Sequence, residues 1–271
     1  DVLFVSSPFA EALNQMGLLA EIDHAKIPNM KHFYKEAMNL DFDRGNQFQV
    51  PYAWGTTGLC YRSDLVSGTP SSWNDLLEPS DDIKGKVTML STDRWLLAAG
   101  LLSLGYSVNE TDPSKLNEAK EKLILAKKNL LAYDDTVFYT KLVSGEAAMA
   151  HAWDGWCNYA TWENPDVKFV VPSEGSDLWV DTMVIMKASS NKDEAHAFIN
   201  YILDPAISTW TVENIMYKVP NVAAMEATSG MFEQFPNLGM SINELSKNET
   251  MKDVGSAAKL YAKTVSEILA D

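Results

Sequence analysis

Apolar and polar positions along the chain follow two periods. Short apolar runs at residues 1–5 (DVLFV), 86–90 (KVTML), 147–151 (AAMAH), 168–171 (KFVV) and 180–186 (VDTMVIM) predict strands. Spacings of three and four predict helices between them. One spans 9–16, started at Ser6-Ser7-Pro8 and stopped by Gly17. Others cover 71–77, 94–104, 138–144 up to Gly145, 154–162, 193–203 and 254–269, and Asp204-Pro205 opens one more. A long helix from Asp112-Pro113 to residue 129 places Leu116, Ala119, Leu123 and Ala126 on one face. Residues 43–46 (DRGN) predict a turn. Residues 48–57 read as extended and continue through 59–62, with Pro51 and Gly55 expected to interrupt the pairing. Strands and helices alternate throughout, which implies an α/β protein with largely parallel sheets. DVLFV reads as a buried strand, and a domain rarely begins on one, so upstream sequence is expected.

Length and charge sharpen this. A chain of 271 residues suits two lobes rather than one small domain. No Pro/Ser/Gly linker separates them, so strands crossing between the lobes are expected. The formal net charge of −15 argues against nucleic acid and anionic membrane surfaces, and favours cationic partners through long-range steering; solubility alone is the plain alternative. No apolar run is long enough to span a membrane. Cys60 and Cys157 stand far apart and are compatible with one disulfide or with two buried thiols. The four histidines show no metal-ligand spacing, and no metal or cofactor is expected.

Catalytic signatures are missing: the chain has no GxSxG, no GxxxxGK[ST] and no GxGxxG. An SxxK at Ser189–Lys192 falls in a polar turn. His151 reads as a core residue and His196 as a surface or boundary residue; the pairs Asp81-Asp82 and Asp134-Asp135 read as solvated turns. The expectation is therefore a binding protein, not an enzyme. Its eight tryptophans carry more information. Trp95, Trp153, Trp156 and Trp179 fall at strand ends or turns, where they either cap a core or line a cleft. Aromatic faces attract ammonium groups. Trp179 and Asp181 alternate onto one side of their strand, and a carboxylate in line with an indole suits a charge-assisted hydrogen bond to an amine.

These stretches resemble the spermidine/putrescine-binding proteins of bacterial ABC transporters. The resemblance runs in order through VSSPFAEALNQMGLLAEID, VPYAWGTTGL, SSWNDLL, KGKVTML, LGYSVNETDPSKLNEA, MAHAWDGW, VPSEGSDLWVDTMVI, NKDEAHAFINYILDP, MYKVPNVAA and DVGSAAKLYAKTVSEI. It implies a periplasmic-binding-protein-like α/β fold (type II), with two lobes, mixed sheets and a ligand cleft between them. One lobe would comprise residues 1–57 and 182–225, the other 58–181 and 226–271. Family members carry about one strand-helix-strand unit upstream of Asp1. The resemblance assigns ligand contacts to Ser6, Trp95, Trp153, Trp179, Asp181 and Tyr217, with Thr92, Asp93, Asp154, Trp156 and Met251 as further candidates. Thr92 and Trp95 stand where spermidine-binding members have an acidic pair, Trp156 where putrescine-binding members have a carboxylate, and Met251 where a glutamine is expected.

The implied function is capture of a polyamine or related organic amine for import, with an ABC-transporter permease as partner. The chain would act as a monomer in the periplasm or another extracytoplasmic space, with or without a lipid anchor. Two alternatives stand beside it: a same-fold binding protein for an amino acid, quaternary amine or sugar, and a ligand-sensing domain. An amino acid would need a cation for its carboxylate, and Arg94 is the candidate.

Overall fold

Strand β1 (Val2–Ser6) runs directly into helix α1 (Ser7–Gln15), where Pro8 occupies the first turn and so removes an N–H that would have no partner. This computed structural model describes residues 1–270. Gly17 follows α1 in the left-handed region, at φ +69°. Short 3-10 turns then cover His24–Lys26, Pro28–His32 and Glu36–Met38. The expected turn at 43–46 is organised by Asp43, whose carboxylate accepts the N–H groups of Gln47, Phe48 and Gln49. Strand β2 (Val50–Arg62) is continuous; neither Pro51 nor Gly55 breaks it.

Helix α2 (Trp73–Leu77) starts with a full capping box between Ser72 and Asp75. Strand β3 (Val87–Met89) leads to α3 (Asp93–Leu102), and Asp112 caps α4 (Pro113–Lys127). The four α4 residues expected on one face are the four it buries. At Gly100 in α3 an added Cβ would lie 2.9 Å from Leu123, so glycine permits that helix pair its close approach. The chain continues through β4 (Leu130–Tyr133), α5 (Phe138–Ser144), β5 (Met149–Trp153), α6 (Asp154–Glu163), β6 (Val167–Val170) and β7 (Asp177–Ile185). It closes with α7 (Lys192–Ile202), α8 (Pro205–Ile215), α9 (Val222–Ala227), α10 (Ile242–Leu245), β8 (Glu249–Thr250) and α11 (Ala258–Ala270).

These elements form two compact units. Unit 1 holds Asp1–Gly55, Trp179–Leu245 and Met251–Asp253; unit 2 holds Thr56–Leu178, Ser246–Thr250 and the chain from Val254 onward. The chain passes between units inside β2 and inside β7, without a linker. Residues 226–245, expected with the second lobe, pack in unit 1. There Lys218 donates to the Leu238 carbonyl and lies 5.9 Å from the Phe232 ring. Residues 179–181 also belong to unit 1, and residues 56–57 to unit 2.

In unit 1, β1 pairs antiparallel with β7 from Val2↔Ile185 to Ser6↔Asp181. Leu3 and Phe4 are 41% and 48% exposed, so among the described residues β1 is an edge strand and not the buried one its apolar run implied. In unit 2 the order is β6-β2-β5-β3-β4. There β2 is antiparallel to β5 and β6, while β3 is parallel to β4 and β5. Sheets that are mixed, rather than largely parallel, follow from a long strand that enters unit 2 already extended and is flanked by returning strands. Cys60 of β2 and Cys157 of α6 form a disulfide with a Cα–Cα distance of 5.7 Å, and both are fully buried.

Candidate ligand-binding site

In unit 1 the alternation of β7 sets the site. Trp179, Asp181 and Met183 share one face of the strand. Opposite Asp181 in register stands Ser6, whose hydroxyl donates to the Asp181 carboxyl Oδ1 at 2.6 Å. Ser6 occupies the N-cap position of α1, yet its side chain makes no cap bond. Burial pushes the Asp181 carboxyl above its ordinary range, and the Ser6 hydrogen bond only partly offsets this. Oδ2 makes no hydrogen bond among the described residues.

Trp179 is almost fully buried, and its ring meets Tyr217 edge-on at 5.0 Å and 86°. Tyr217 is half-buried and reaches this position because Met216 ends α8 in the left-handed region, at φ +58°. That conformation is unfavourable for a side chain larger than glycine. Tyr52, which sequence reasoning missed, is half-buried on β2. Its ring packs edge-on against Phe4 at 4.9 Å. Burial first, then the nearby Asp181 charge, raises its hydroxyl above the usual tyrosine value, against a hydrogen bond with Thr211. The alternation of a VPY segment gave no sign of this neighbourhood. Met251 is fully buried, with its carbonyl accepting from the Ser7 hydroxyl at 3.4 Å.

In unit 2 the turn 91–93 is built by Asp135. Its carboxylate accepts the N–H groups of Ser91 (2.8 Å) and Thr92 (3.4 Å) and both their hydroxyls. Asp134 is buried, accepts the N–H groups of Thr136 and Val137, and pairs with Lys141. This acidic pair is structural and not a solvated turn. Asp135→Ala is expected to lower the unfolding free energy by about 1–3 kcal/mol, read by urea denaturation, because it leaves several half-buried donors unpaired.

That turn delivers Thr92, the half-buried Asp93 and Trp95 at the head of α3. Burial raises the Asp93 carboxyl. Trp95 is almost fully buried and meets Trp153 edge-on at 5.6 Å and 77°. Trp153 ends β5 and occupies the N-cap position of α6. Next to it, Asp154 is buried and accepts the Gly155 N–H at 3.0 Å. Trp156 stacks on Tyr139 at 5.1 Å and 26°, and lies 5.5 Å from Tyr159. This three-ring group joins α5 to α6. Spacing within α6 could have offered Trp156 and Tyr159 together, but Tyr139 comes from another helix.

Several residues weighed in the sequence take other roles. Arg94 is buried, bonds to the Val108 carbonyl and Asn109 Oδ1, and lies 5.3 Å from the Tyr261 ring centroid. It therefore serves the core of unit 2. His196 is buried, not superficial: its Nε2 accepts the Asp23 N–H, and Nδ1 contacts the Lys192 carbonyl at 2.6 Å. Ser189 donates to Asp1, and Lys192 to the Ser189 carbonyl, which leaves no nucleophile–base pair there. Among the described residues no group of His, Cys, Asp or Glu side chains could hold a metal ion.

Comparison with known proteins identifies the family and the fold. Residues 1–238 match the family described as bacterial extracellular solute-binding protein. The spermidine/putrescine-binding periplasmic protein of Salmonella typhimurium is 30% identical over 262 residues, covering 96% of this chain and 75% of that protein. The putrescine/cadaverine-binding protein of Pseudomonas aeruginosa is 29% identical over 267 residues, covering 94% and 75%. Among solved structures, the spermidine/putrescine ABC transporter substrate-binding protein of Streptococcus pneumoniae superposes with a TM-score of 0.82 at 29% identity, covering 100% of this chain and 83% of that one. Relatives of this kind are periplasmic binding proteins, and among the described residues no helix is long and apolar enough to cross a membrane. With a family match over most of its length and the same fold, this chain is a member of the bacterial extracellular solute-binding proteins.

Proposed function

We propose that the protein captures a small organic ammonium ion, a polyamine or a related amine, and presents it to the permease of an ABC importer. The carrying observation is Asp181. A half-buried carboxyl with one hydroxyl donor, and no cation beside it among the described residues, is poorly solvated, and an ammonium group supplies the missing charge. Trp179 and Tyr217 provide aromatic surface beside it for the alkyl chain. The relatives' names point to the same ligand class. Trp95 and Trp153 of unit 2, with Thr92, Asp93, Asp154 and Trp156 around them, are proposed as further ligand contacts. The acting form would be a monomer outside the cytoplasm, free or lipid-anchored. Arg94 is already engaged in the core, which weighs against an amino acid held by its carboxylate.

Isothermal titration with putrescine, spermidine, choline and lysine tests this, with Asp181→Asn alongside. At least one of the amines should bind, and the variant should lose about 1.5–3 kcal/mol, roughly 10- to 150-fold in Kd. Protons compete with the ligand for Asp181, so affinity should fall as pH drops through its raised carboxyl pKa. Equal affinity of the variant for the best ligand would remove Asp181 from the site.

A further inference from the structure

Asp177 is fully buried, and its role is not explained by ligand contact or by packing. It stands on the same face of β7 as Trp179 and Asp181, just before the chain leaves unit 2. Its carboxyl is hydrogen-bonded to the Thr57 hydroxyl and, at 3.2 Å, to the Ser176 hydroxyl. The Ser176 hydroxyl donates to the Thr57 carbonyl at 2.8 Å, and the Ser176 N–H donates to Asn248 Oδ1 at 3.1 Å. Glu249 pairs with Asp177 in the β7–β8 register. Two stretches of unit 2 thus meet at one carboxyl, β2 just after it enters the unit and β7 just before it leaves, while the short return at 246–250 joins β7 through backbone groups and Asn248. Thr57 is also the register partner of Trp153.

We propose that Asp177 is a positioning residue for ligand binding: through Thr57 and Ser176 it fixes β2 to β7, and so sets Trp153, the register neighbour of Thr57. The proposal rests on the reading of Trp153 as a ligand contact. Asp177 Oδ2 has no partner among the described residues, and burial raises the carboxyl pKa, with the Thr57 and Ser176 bonds opposing it. Both features fit an uncharged acid that serves as a hydrogen-bonding group. An unpaired anion would be far more costly in such a place. Asparagine should therefore replace it, whereas alanine should not.

The test uses the intact chain labelled with 5-fluorotryptophan, the Trp153 resonance being assigned from Trp153→Phe, with putrescine and spermidine as probes. Thr57→Val and Asp177→Ala should shift or broaden the Trp153 signal and weaken binding about tenfold, whereas Asp177→Asn should stay close to wild type. A purely structural role would lower the melting temperature of Thr57→Val while leaving both the Trp153 signal and Kd at wild-type values, and that result would overturn the proposal. So would loss of binding in Asp177→Asn as severe as in Thr57→Val. If Asp177→Ala does not fold, Thr57→Val and Asp177→Asn still decide. Trp153→Ala separates the two readings: if it binds with wild-type affinity, the reading of Trp153 as a ligand contact fails; if it loses binding while Thr57→Val does not, only the positioning role fails.

Discussion

Replacing both Cys60 and Cys157 by alanine should lower the unfolding free energy by about 4–5 kcal/mol, in equilibrium urea denaturation at pH 7 under oxidising conditions. The bridge closes a loop with a sequence separation of 97, and chain-entropy reasoning for a loop of that length gives this magnitude. Both sulfurs are fully buried, so the substitution also leaves unfilled volume between β2 and α6. Reductant should reproduce the loss in the wild-type protein only once unfolding admits it. A change below about 1 kcal/mol would mean that the unfolded chain already holds these segments together.

His151 carries the second large effect, and its size depends on pH. The ring is fully buried, edge-on to Trp73 at 5.2 Å, and neither nitrogen has a partner among the described residues. Desolvation lowers its pKa from 6.5 to about 3. Below pH 6.5 the unfolded chain takes up a proton that the folded chain refuses. Stability is therefore unaffected by this group above pH 6.5 and lost as pH falls toward 3, by about 3 kcal/mol at pH 4 and about 4–5 kcal/mol at the lower limit. His151→Phe removes the group. Its stability relative to wild type should improve by about 3 kcal/mol between pH 7 and pH 4, measured by urea unfolding. A difference that stays constant across that interval would show that His151 is hydrated or hydrogen-bonded in the fold.

Much of the fold was legible because burial and periodicity coincide. In α4 the apolar residues at 116, 119, 123 and 126 can only be satisfied on one side, and the helix buries that side. The short helix over 71–77 was equally plain, and the Ser72–Asp75 capping box that starts it answers backbone donors on both sides. Strand β2 was harder. Pro51 and Gly55 weaken pairing locally, but a strand held in both units loses little by two imperfect positions. Alternation of helices and strands suggests largely parallel sheets because it does not say which way a returning strand runs; the mixed sheets observed are those the family resemblance implied. Asp135 looked like a solvent-facing residue because the groups it accepts, on Ser91 and Thr92, lie 44 and 43 positions away in sequence; the partners of Asp134 are local, with Lys141 7 positions on.

The candidate site was visible in part for the same reason. Trp179 and Asp181 are two residues apart on one strand, so alternation reveals them. Ser6 reaches Asp181 across 175 positions, and family resemblance rather than periodicity supplied it. Tyr52, Tyr139 and Asp177 had no local mark: each gains its neighbours only when distant elements pack together.

The pairing of β1 with β7 has a consequence for assembly of unit 1. Ser6 meets Asp181 only in one alignment of the two strands. A slip by a single residue would turn the serine to the opposite face and leave the half-buried aspartate without its hydroxyl donor. Such a mispaired strand carries a penalty that the correct one does not, so the contact proposed to prepare the carboxyl for a ligand also proofreads the docking of a strand whose apolar side chains discriminate poorly.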